Sequence, residues 1–200
     1  MIKLYGMGSP NVVKVYIALE ELGLPYEVAP VDVFTGKQFD AEFLKVNPNA
    51  KVPVIVDSDG PGGKPYTCFE SGAILLYLVE KTGKLLSKDM AAKYDAIQWM
   101  MVQMTTVGPM FGQHVHFIRF APPGNDYAKS RYTTQAIRVS EVIEARLAHQ
   151  KCGELAGLRV GHLLDAPLGD AAEGRQRDRK LIGSHSQRLA VEISSADYVA

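Results

Sequence analysis

The stretch Val52-Pro53-Val54-Ile55-Val56 decides the fold, because it is an apolar run with a proline near its start. Proline is tolerated at the beginning of a strand, so this stretch predicts a buried strand. Asn47-Pro48 stops a short helix just before it, and Gly60-Pro61-Gly62-Gly63 predicts a tight connection after it. A further strand over Tyr66–Phe69 then completes a hairpin, and the strongly apolar helix that Ser71 caps covers it.

The residues before this hairpin predict a βαβ unit. Ile2-Lys3-Leu4-Tyr5 alternates apolar and polar side chains, which is typical of a short strand. Pro10 suits the first turn of the next helix, and Gly23 suits its end. Between them an apolar stripe recurs at helical spacing: Val12, Tyr16, Leu19 and Leu22. A second strand over Tyr26–Val33 and a short helix over Gln38–Val46 follow. A parallel unit joined to a hairpin and a helix predicts a mixed sheet with helices on both faces.

From Lys88 onward the pattern is helical only. One long helix is expected over Met90–Phe117, interrupted at Gly108-Pro109, and another over Asp126–His149. The apolar stripe of the second is Ala136, Val139, Ile143 and Leu147. The fold class is therefore α/β plus all-α: a βαβαββα domain over residues 1–84 and a helical bundle domain over residues 88–200.

Composition narrows the possible partners. The chain is 46% hydrophobic and 22% charged, with no net charge, which argues against nucleic acid or an anionic membrane as the main partner. The apolar run Ala73–Val79 is too short to span a membrane, and no signal peptide is evident. Cys68 and Cys152 form no Cys-x-x-Cys pair, so we expect a reducing, cytoplasmic setting. His114 and His116 are two residues apart, so we expect no metal pair.

Three short motifs contain residues suited to binding or activating a ligand. Ser9 and Asn11 lie at a helix N-terminus, which favours a nearby anion and would draw a ligand thiol toward thiolate. If the Val52-Pro53 bond is cis, the backbone of Val52 is free to pair with an extended peptide. Glu70-Ser71 at a helix start suits the ammonium and carboxylate of an α-amino acid. Each motif alone also has a purely structural explanation, namely a helix cap or a strand-initiating proline.

Taken together, the motifs resemble those of the glutathione transferase family, closest to the bacterial Nu-type group and the yeast Ure2-like proteins. The resemblance covers roughly Met1–Gln150. It is carried by four stretches: Ser9-Pro10-Asn11, Asn47-Pro48-Asn49-Ala50-Lys51-Val52-Pro53, Phe69-Glu70-Ser71-Gly72-Ala73-Ile74-Leu75 and Gly108-Pro109-Met110-Phe111-Gly112-Gln113.

The resemblance implies a thioredoxin-like N-terminal domain, glutathione as co-substrate, no metal and a homodimer. It places Ser9 and Asn11 at the glutathione sulfur as catalytic residues. It assigns substrate binding to the remaining matched positions: Gln38, Val52 beside cis-Pro53, Glu70 and Ser71 at the γ-glutamyl group, and Arg131 from the helical domain. Related Nu-type proteins reduce disulfides with glutathione itself, so both conjugation and disulfide reduction are expected activities.

The last fifty residues do not match the family. Lys151–Lys180 is rich in Gly, Ala, Arg and Asp with weak periodicity, so we expect an incomplete helical domain. A frameshift in the coding sequence would explain this tail, since Ser194-Ser195-Ala196 read one base later permits a family-like ending. An insertion is the other explanation. The functional alternatives are a glutathione-dependent enzyme, a non-catalytic glutathione-binding or regulatory module of the same fold, and a defective product.

Overall fold

The computed structural model describes residues 1–148 of the 200-residue chain. The expectations for the tail, including its two explanations, lie outside the described residues. In chain order the strands and helices are β1 (Ile2–Gly6), α1 (Pro10–Leu22), β2 (Tyr26–Pro30), α2 (Ala41–Val46), β3 (Val54–Asp57), β4 (Tyr66–Phe69), α3 (Ser71–Thr82), α4 (Met90–Val102), α5 (Gly108–Arg119) and α6 (Asp126–Ala148).

The four strands form one mixed sheet in the order β2-β1-β3-β4. β1 pairs parallel with β2, while β3 pairs antiparallel with both β1 and β4. Tyr5 of β1 lies opposite Val54, which in turn lies opposite Phe69 of β4. The predicted βαβ unit followed by a hairpin and a helix is thus confirmed.

Helices cover both faces of this sheet. On one face α1 and α3 pack against each other and against β1 and β3, around the fully buried Leu4, Leu19, Ile55, Ile74 and Leu78. On the other face the short α2 contributes Phe43, which packs with Val31 and Val54. The apolar stripe predicted for α1 is confirmed, because all four of its residues are buried: Val12, Tyr16, Leu19 and Leu22.

Several element boundaries differ from the predictions. β3 begins at Val54 instead of Val52, and two further differences have local reasons. β2 ends at Pro30 instead of Val33, because the Asp32 carboxylate accepts a hydrogen bond from the Phe34 N–H at 2.9 Å and turns the chain. The helix predicted over Gln38–Val46 is divided into a 3₁₀ turn, Lys37–Phe39, and α2. Asp40 between them has the non-helical angles φ −60° and ψ 138°.

The start of α3 also needs a correction. Ser71 is the first residue of the helix, and the cap position belongs to Glu70, whose φ is +67° and ψ is 117°. A non-glycine residue in this region carries backbone strain, and such residues concentrate at functional sites. The helix starts regularly from Glu70, since the Ile74 N–H donates to the Glu70 carbonyl at 2.9 Å.

The second half of the described chain is helical, as predicted. The interruption comes earlier than Gly108, because a π-helical turn over Gln103–Val107 separates α4 from α5. Stacked rings of Phe117 and Tyr132, 5.3 Å apart, hold α5 against α6. The predicted domain boundary falls in the segment between α3 and α4, and it stays a prediction.

The last turn of α6 contacts α4 through the side chain of Arg146. Arg146 forms an ion pair with Asp95. Its guanidinium carbon also lies 4.9 Å from the ring centroid of Trp99, which is cation–π geometry. Because one side chain makes both contacts, the end of α6 is held against the middle of α4. Among residues 1–148, no helix combines the length and apolar character that crossing a membrane requires.

Candidate functional site

A cleft of about 280 Å³ opens between the N-termini of α1 and α3, the turn before β3 and the start of α5. Its walls come from both halves of the described chain. The lining residues are Asn11, Lys51, Val52, Pro53, Glu70, Ser71, Gln103, Met104, Gly108 and Pro109. Five of the eight residues selected from the sequence therefore meet in one place: Asn11, Val52, Pro53, Glu70 and Ser71. Ser9, Gln38 and Arg131 are not among the lining residues.

The N-terminus of α1 forms the first wall. Ser9 occupies the cap position with extended backbone angles, and its carbonyl accepts from the N–H groups of Val12 and Val13 at 2.9 Å each. Its hydroxyl makes no capping bond, so the cap depends on the backbone alone. Asn11 is exposed and faces the cleft. The first-turn N–H groups and the helix dipole both favour an anion at this end.

The turn before β3 forms the second wall. The Val52–Pro53 peptide bond is cis. Within residues 1–148 neither the N–H nor the carbonyl of Val52 has a hydrogen-bond partner. Both groups are therefore available to an extended ligand backbone.

A buried asparagine organises this turn. Asn47 is 1% exposed; its Nδ2 donates to the Lys51 carbonyl at 2.7 Å, and its Oδ1 accepts from the Asn49 N–H at 2.9 Å. These two bonds fix the backbone between Asn47 and Lys51, so the position of Val52 follows from a side chain five residues earlier. In the sequence Asn47 is recognisable only as a helix stop.

The N-terminus of α3 forms the third wall. The Glu70 carboxylate accepts from Asn49 Nδ2 at 3.3 Å. Ser71 is 3% exposed, and its hydroxyl lies 3.7 Å from the Met104 sulfur. A carboxylate beside the unpaired N–H groups of a helix start can hold an ammonium and a carboxylate side by side.

The fourth wall contains residues that the sequence-based predictions did not include. Gln103 and Met104 come from the π-helical turn, and Gly108 and Pro109 come from the start of α5. Met104 packs closely on α3, since a Cβ added at Gly72 would lie 3.1 Å from its Cγ. A polar Gln103 within the apolar run Met100–Met104 is the sequence signal that could have indicated it.

A buried lysine lies behind these walls. Lys14 of α1 is 2% exposed, and its Nζ donates to Gln103 Oε1 at 2.8 Å. Burial lowers the pKa of Lys14 to about 8, and the Glu70 carboxylate opposes that shift. Lys14 was not among the residues selected from the sequence. Its signal there is a single cation within the otherwise apolar run Val12–Leu19.

The remaining selected residues lie apart from the lining. Gln38 belongs to the 3₁₀ turn, and its Oε1 is buried without a hydrogen-bond partner among the described residues. Arg131 is exposed on α6. His114 contacts Thr133 at 3.3 Å, whereas His116 packs on Phe117 and Phe120. Over residues 1–148 no three His, Cys, Asp or Glu side chains are grouped to hold a metal ion.

Comparison with known proteins identifies relatives of this chain. Residues 8–81 match the family model described as the glutathione S-transferase N-terminal domain. The disulfide-bond oxidoreductase YfcG of Escherichia coli is 45% identical over 148 residues, which is 74% of this chain and 69% of that protein. Protein URE2 of Candida glabrata is 40% identical over 149 residues, and the chain spans 41% of its length.

Solved structures agree with the sequence comparisons. A glutathione transferase family member from Pseudomonas fluorescens, crystallised with two glutathione molecules bound, superposes with a TM-score of 0.72 at 38% identity. The match covers 96% of this chain and 86% of that one.

Proposed function

Because the chain belongs to the glutathione transferase family, we propose that its cleft binds glutathione and activates the thiol of that peptide for attack on a second substrate. The proposed reactions are glutathione-dependent reduction of disulfides and conjugation of small electrophiles. The observation that carries the proposal is the meeting of Asn11, Val52 and Glu70-Ser71 around one cleft. These three points match, respectively, a thiolate, a cysteinyl backbone and an α-amino acid head group.

Two of the three residues of glutathione, the cysteinyl and the γ-glutamyl residue, have a complementary wall in the cleft. The cysteinyl N–H and carbonyl pair with the free backbone of Val52, as an added strand would. The γ-glutamyl carboxylate lies at the N-terminus of α3, and its ammonium lies beside Glu70. Gln38, whose buried Oε1 lacks a partner among the described residues, and Arg131 are proposed as further contacts that form when the ligand is present.

The N-terminus of α1 is the proposed place of chemistry. There Asn11, with Ser9 as its neighbour, donates to the sulfur and stabilises the thiolate, which is the reactive form. The thiolate attacks one sulfur of a disulfide, forms a mixed disulfide and expels the other sulfur as a thiolate. A second glutathione thiolate then attacks the mixed disulfide, which yields glutathione disulfide and the second reduced thiol. For an aryl halide, the thiolate forms a carbon–sulfur bond and halide departs.

Two features of the relatives support the disulfide reaction. YfcG is named a disulfide-bond oxidoreductase, and the Pseudomonas fluorescens structure holds two glutathione molecules, which is the number this reaction consumes. In the described part of the chain Cys68 is buried in β4, and burial raises the pKa of its thiol. The nucleophile is therefore assigned to glutathione rather than to Cys68.

The first experiment is thermal unfolding of the full chain with and without glutathione. At about one hundred times Kd, a ligand that binds only the folded state stabilises it by about 2.7 kcal/mol, so Tm rises. The matched control is the isomer in which an ordinary α-peptide bond replaces the γ-glutamyl linkage. That isomer displaces the ammonium and carboxylate from their walls, so its effect is expected to be much smaller.

The outcomes separate the candidate functions. A glutathione-specific rise in Tm together with turnover of disulfides or aryl halides supports the enzyme. The same rise without turnover supports the binding module. Equal shifts from both isomers, or none, would refute the proposed site.

A further inference from the structure

The buried ammonium behind the cleft has no role in the function proposed above. Within residues 1–148 Lys14 makes no ion pair, and its hydrogen-bond partners are the neutral Gln103 amide and, at 3.9 Å, the Met104 sulfur. Burying a charge without a bonded counter-charge costs free energy. Methionine or leucine would fill a purely structural position at a lower cost in free energy. The buried charge therefore indicates a functional role.

Lys14 decides which way the Gln103 amide points. An ammonium only donates hydrogen bonds, so its partner at 2.8 Å has to be the amide oxygen. The amide nitrogen of Gln103 therefore points away from Lys14. That nitrogen has no hydrogen-bond partner in the described part of the chain, although the residue is only 7% exposed and lines the cleft. Among the described residues the buried side-chain atoms without a partner do not include this nitrogen, so it is open to the cleft, where it can donate to a ligand.

The lysine also lies beneath the end of α1 that faces the cleft. It follows Asn11 by three residues, so the two side chains are neighbours on one face of α1. At neutral pH a group with a pKa of about 8 is mostly protonated. The wall that carries Asn11 therefore has a positive charge behind it, shielded from water. In such surroundings a charge acts on its neighbours more strongly than it would in solvent.

We propose that Lys14 is a positioning residue for the glutathione thiolate: it holds the Gln103 N–H groups toward the cleft and supplies the buried positive charge that favours the ionised sulfur. This inference rests on the proposed function and adds to it a residue that lies behind the cleft wall. Asn11 contacts the sulfur, and Lys14 acts through Gln103 and through its field. The π-helical turn matters because it brings Gln103 within reach of α1.

The test is a pH titration of glutathione bound to the full-length protein, followed by the ultraviolet absorbance of the thiolate. Lys14→Met keeps the length of the side chain and removes its charge, so the pKa of the bound thiol is expected to rise by about one unit. Gln103→Leu removes the oriented donor and is expected to raise the same pKa and to weaken binding roughly tenfold. Lys93→Met, at a half-exposed lysine paired with Glu80 on the protein surface, is the matched control and should leave the titration unchanged.

A variant that combines Lys14→Met with Gln103→Leu tests whether the two residues act together. If Lys14 acts through Gln103, the effects of Lys14→Met and Gln103→Leu on the thiol pKa should be less than additive. A role in stability alone would move Tm and leave the thiol pKa of the folded variant at the wild-type value, which would overturn the inference. Should Lys14→Met fail to fold, an unshifted thiol pKa in Gln103→Leu would overturn it equally.

Failure of the underlying function has a different signature. If calorimetry detects no glutathione binding by the wild-type protein, the proposed function fails and the inference fails with it. If the wild type binds glutathione with the thiol pKa of the free peptide, about 8.5 for a cysteine thiol, the binding site stands and the role of Lys14 is refuted.

Discussion

At the scale of single residues, the structure predicts different contributions to catalysis from Asn11 and Ser9, although they are only two positions apart. Asn11 lines the cleft, whereas Ser9 caps α1 through its backbone and does not. Asn11→Ala is expected to lower kcat/KM roughly tenfold to hundredfold, because a hydrogen bond to a charged sulfur is lost. Ser9→Ala should cost clearly less. Steady-state kinetics with glutathione and a disulfide would check this, and equal losses would assign Ser9 a direct contact with the sulfur.

A second residue-scale prediction concerns stability and pH. Asp57 is 1% exposed and accepts hydrogen bonds from the Tyr77 hydroxyl at 2.6 Å and the Asp59 N–H at 3.0 Å; the Lys81 ammonium lies 2.9 Å away. Burial alone would raise the pKa of Asp57, but these partners outweigh it and hold the pKa below its usual value. The unfolded chain therefore binds protons more readily in acid, and the stabilisation falls away as pH drops through the folded pKa.

Asp57→Asn should accordingly lower the free energy of unfolding at pH 7 by about 2 kcal/mol or more. It should also flatten the fall in stability below about pH 4, where the unfolded aspartate titrates. The control is Asp59→Asn, because its carboxylate is 81% exposed and lies 3.9 Å from Lys81. Urea unfolding across pH would measure both variants. An unchanged acid dependence in Asp57→Asn would contradict this assignment.

At the scale of elements, the junction between β1 and α1 leaves no space for a side chain. A Cβ added at Gly6 would lie 2.5 Å from Cγ1 of Val12, which is fully buried. Gly6→Ala is therefore expected to destabilise the protein by about 1–3 kcal/mol through overpacking. Gly112→Ala in α5 has open space at its Cβ and should stabilise by up to about 1 kcal/mol. Thermal unfolding of the two variants should show opposite shifts.

Elements are also where the sequence was most informative. The period-2 alternation of β1, the apolar stripe of α1 and the hairpin of β3 and β4 are local patterns, and all were predicted. The π-helical turn was not, because it is stabilised by contacts of Met104 with α3 and of Gln103 with α1, which are far away in sequence. For the same reason Lys14 was missed: its burial depends on a helix almost ninety positions later.

At the scale of the whole molecule, the family resemblance predicts a homodimer. β4 and α4 carry large apolar side chains that remain exposed in the single described chain, including Phe69 at 37%, Tyr94 at 58% and Met101 at 42%. Burying such side chains in an interface would remove them from water. Light scattering after size-exclusion chromatography should give twice the chain mass of 21.9 kDa. A monomer at micromolar concentration would contradict the prediction.

The stacking of Arg146 on Trp99 gives the molecule a built-in optical probe. Trp99 is the chain's single tryptophan, and it lies in α4, whereas the sheet and α1 to α3 contain none. Tryptophan emission therefore reports on the docking of α6 against α4, while far-ultraviolet circular dichroism averages over every helix and strand. If the two halves unfold separately, the fluorescence and dichroism curves will separate. Coincident curves would mean that the cleft walls are lost in one cooperative step.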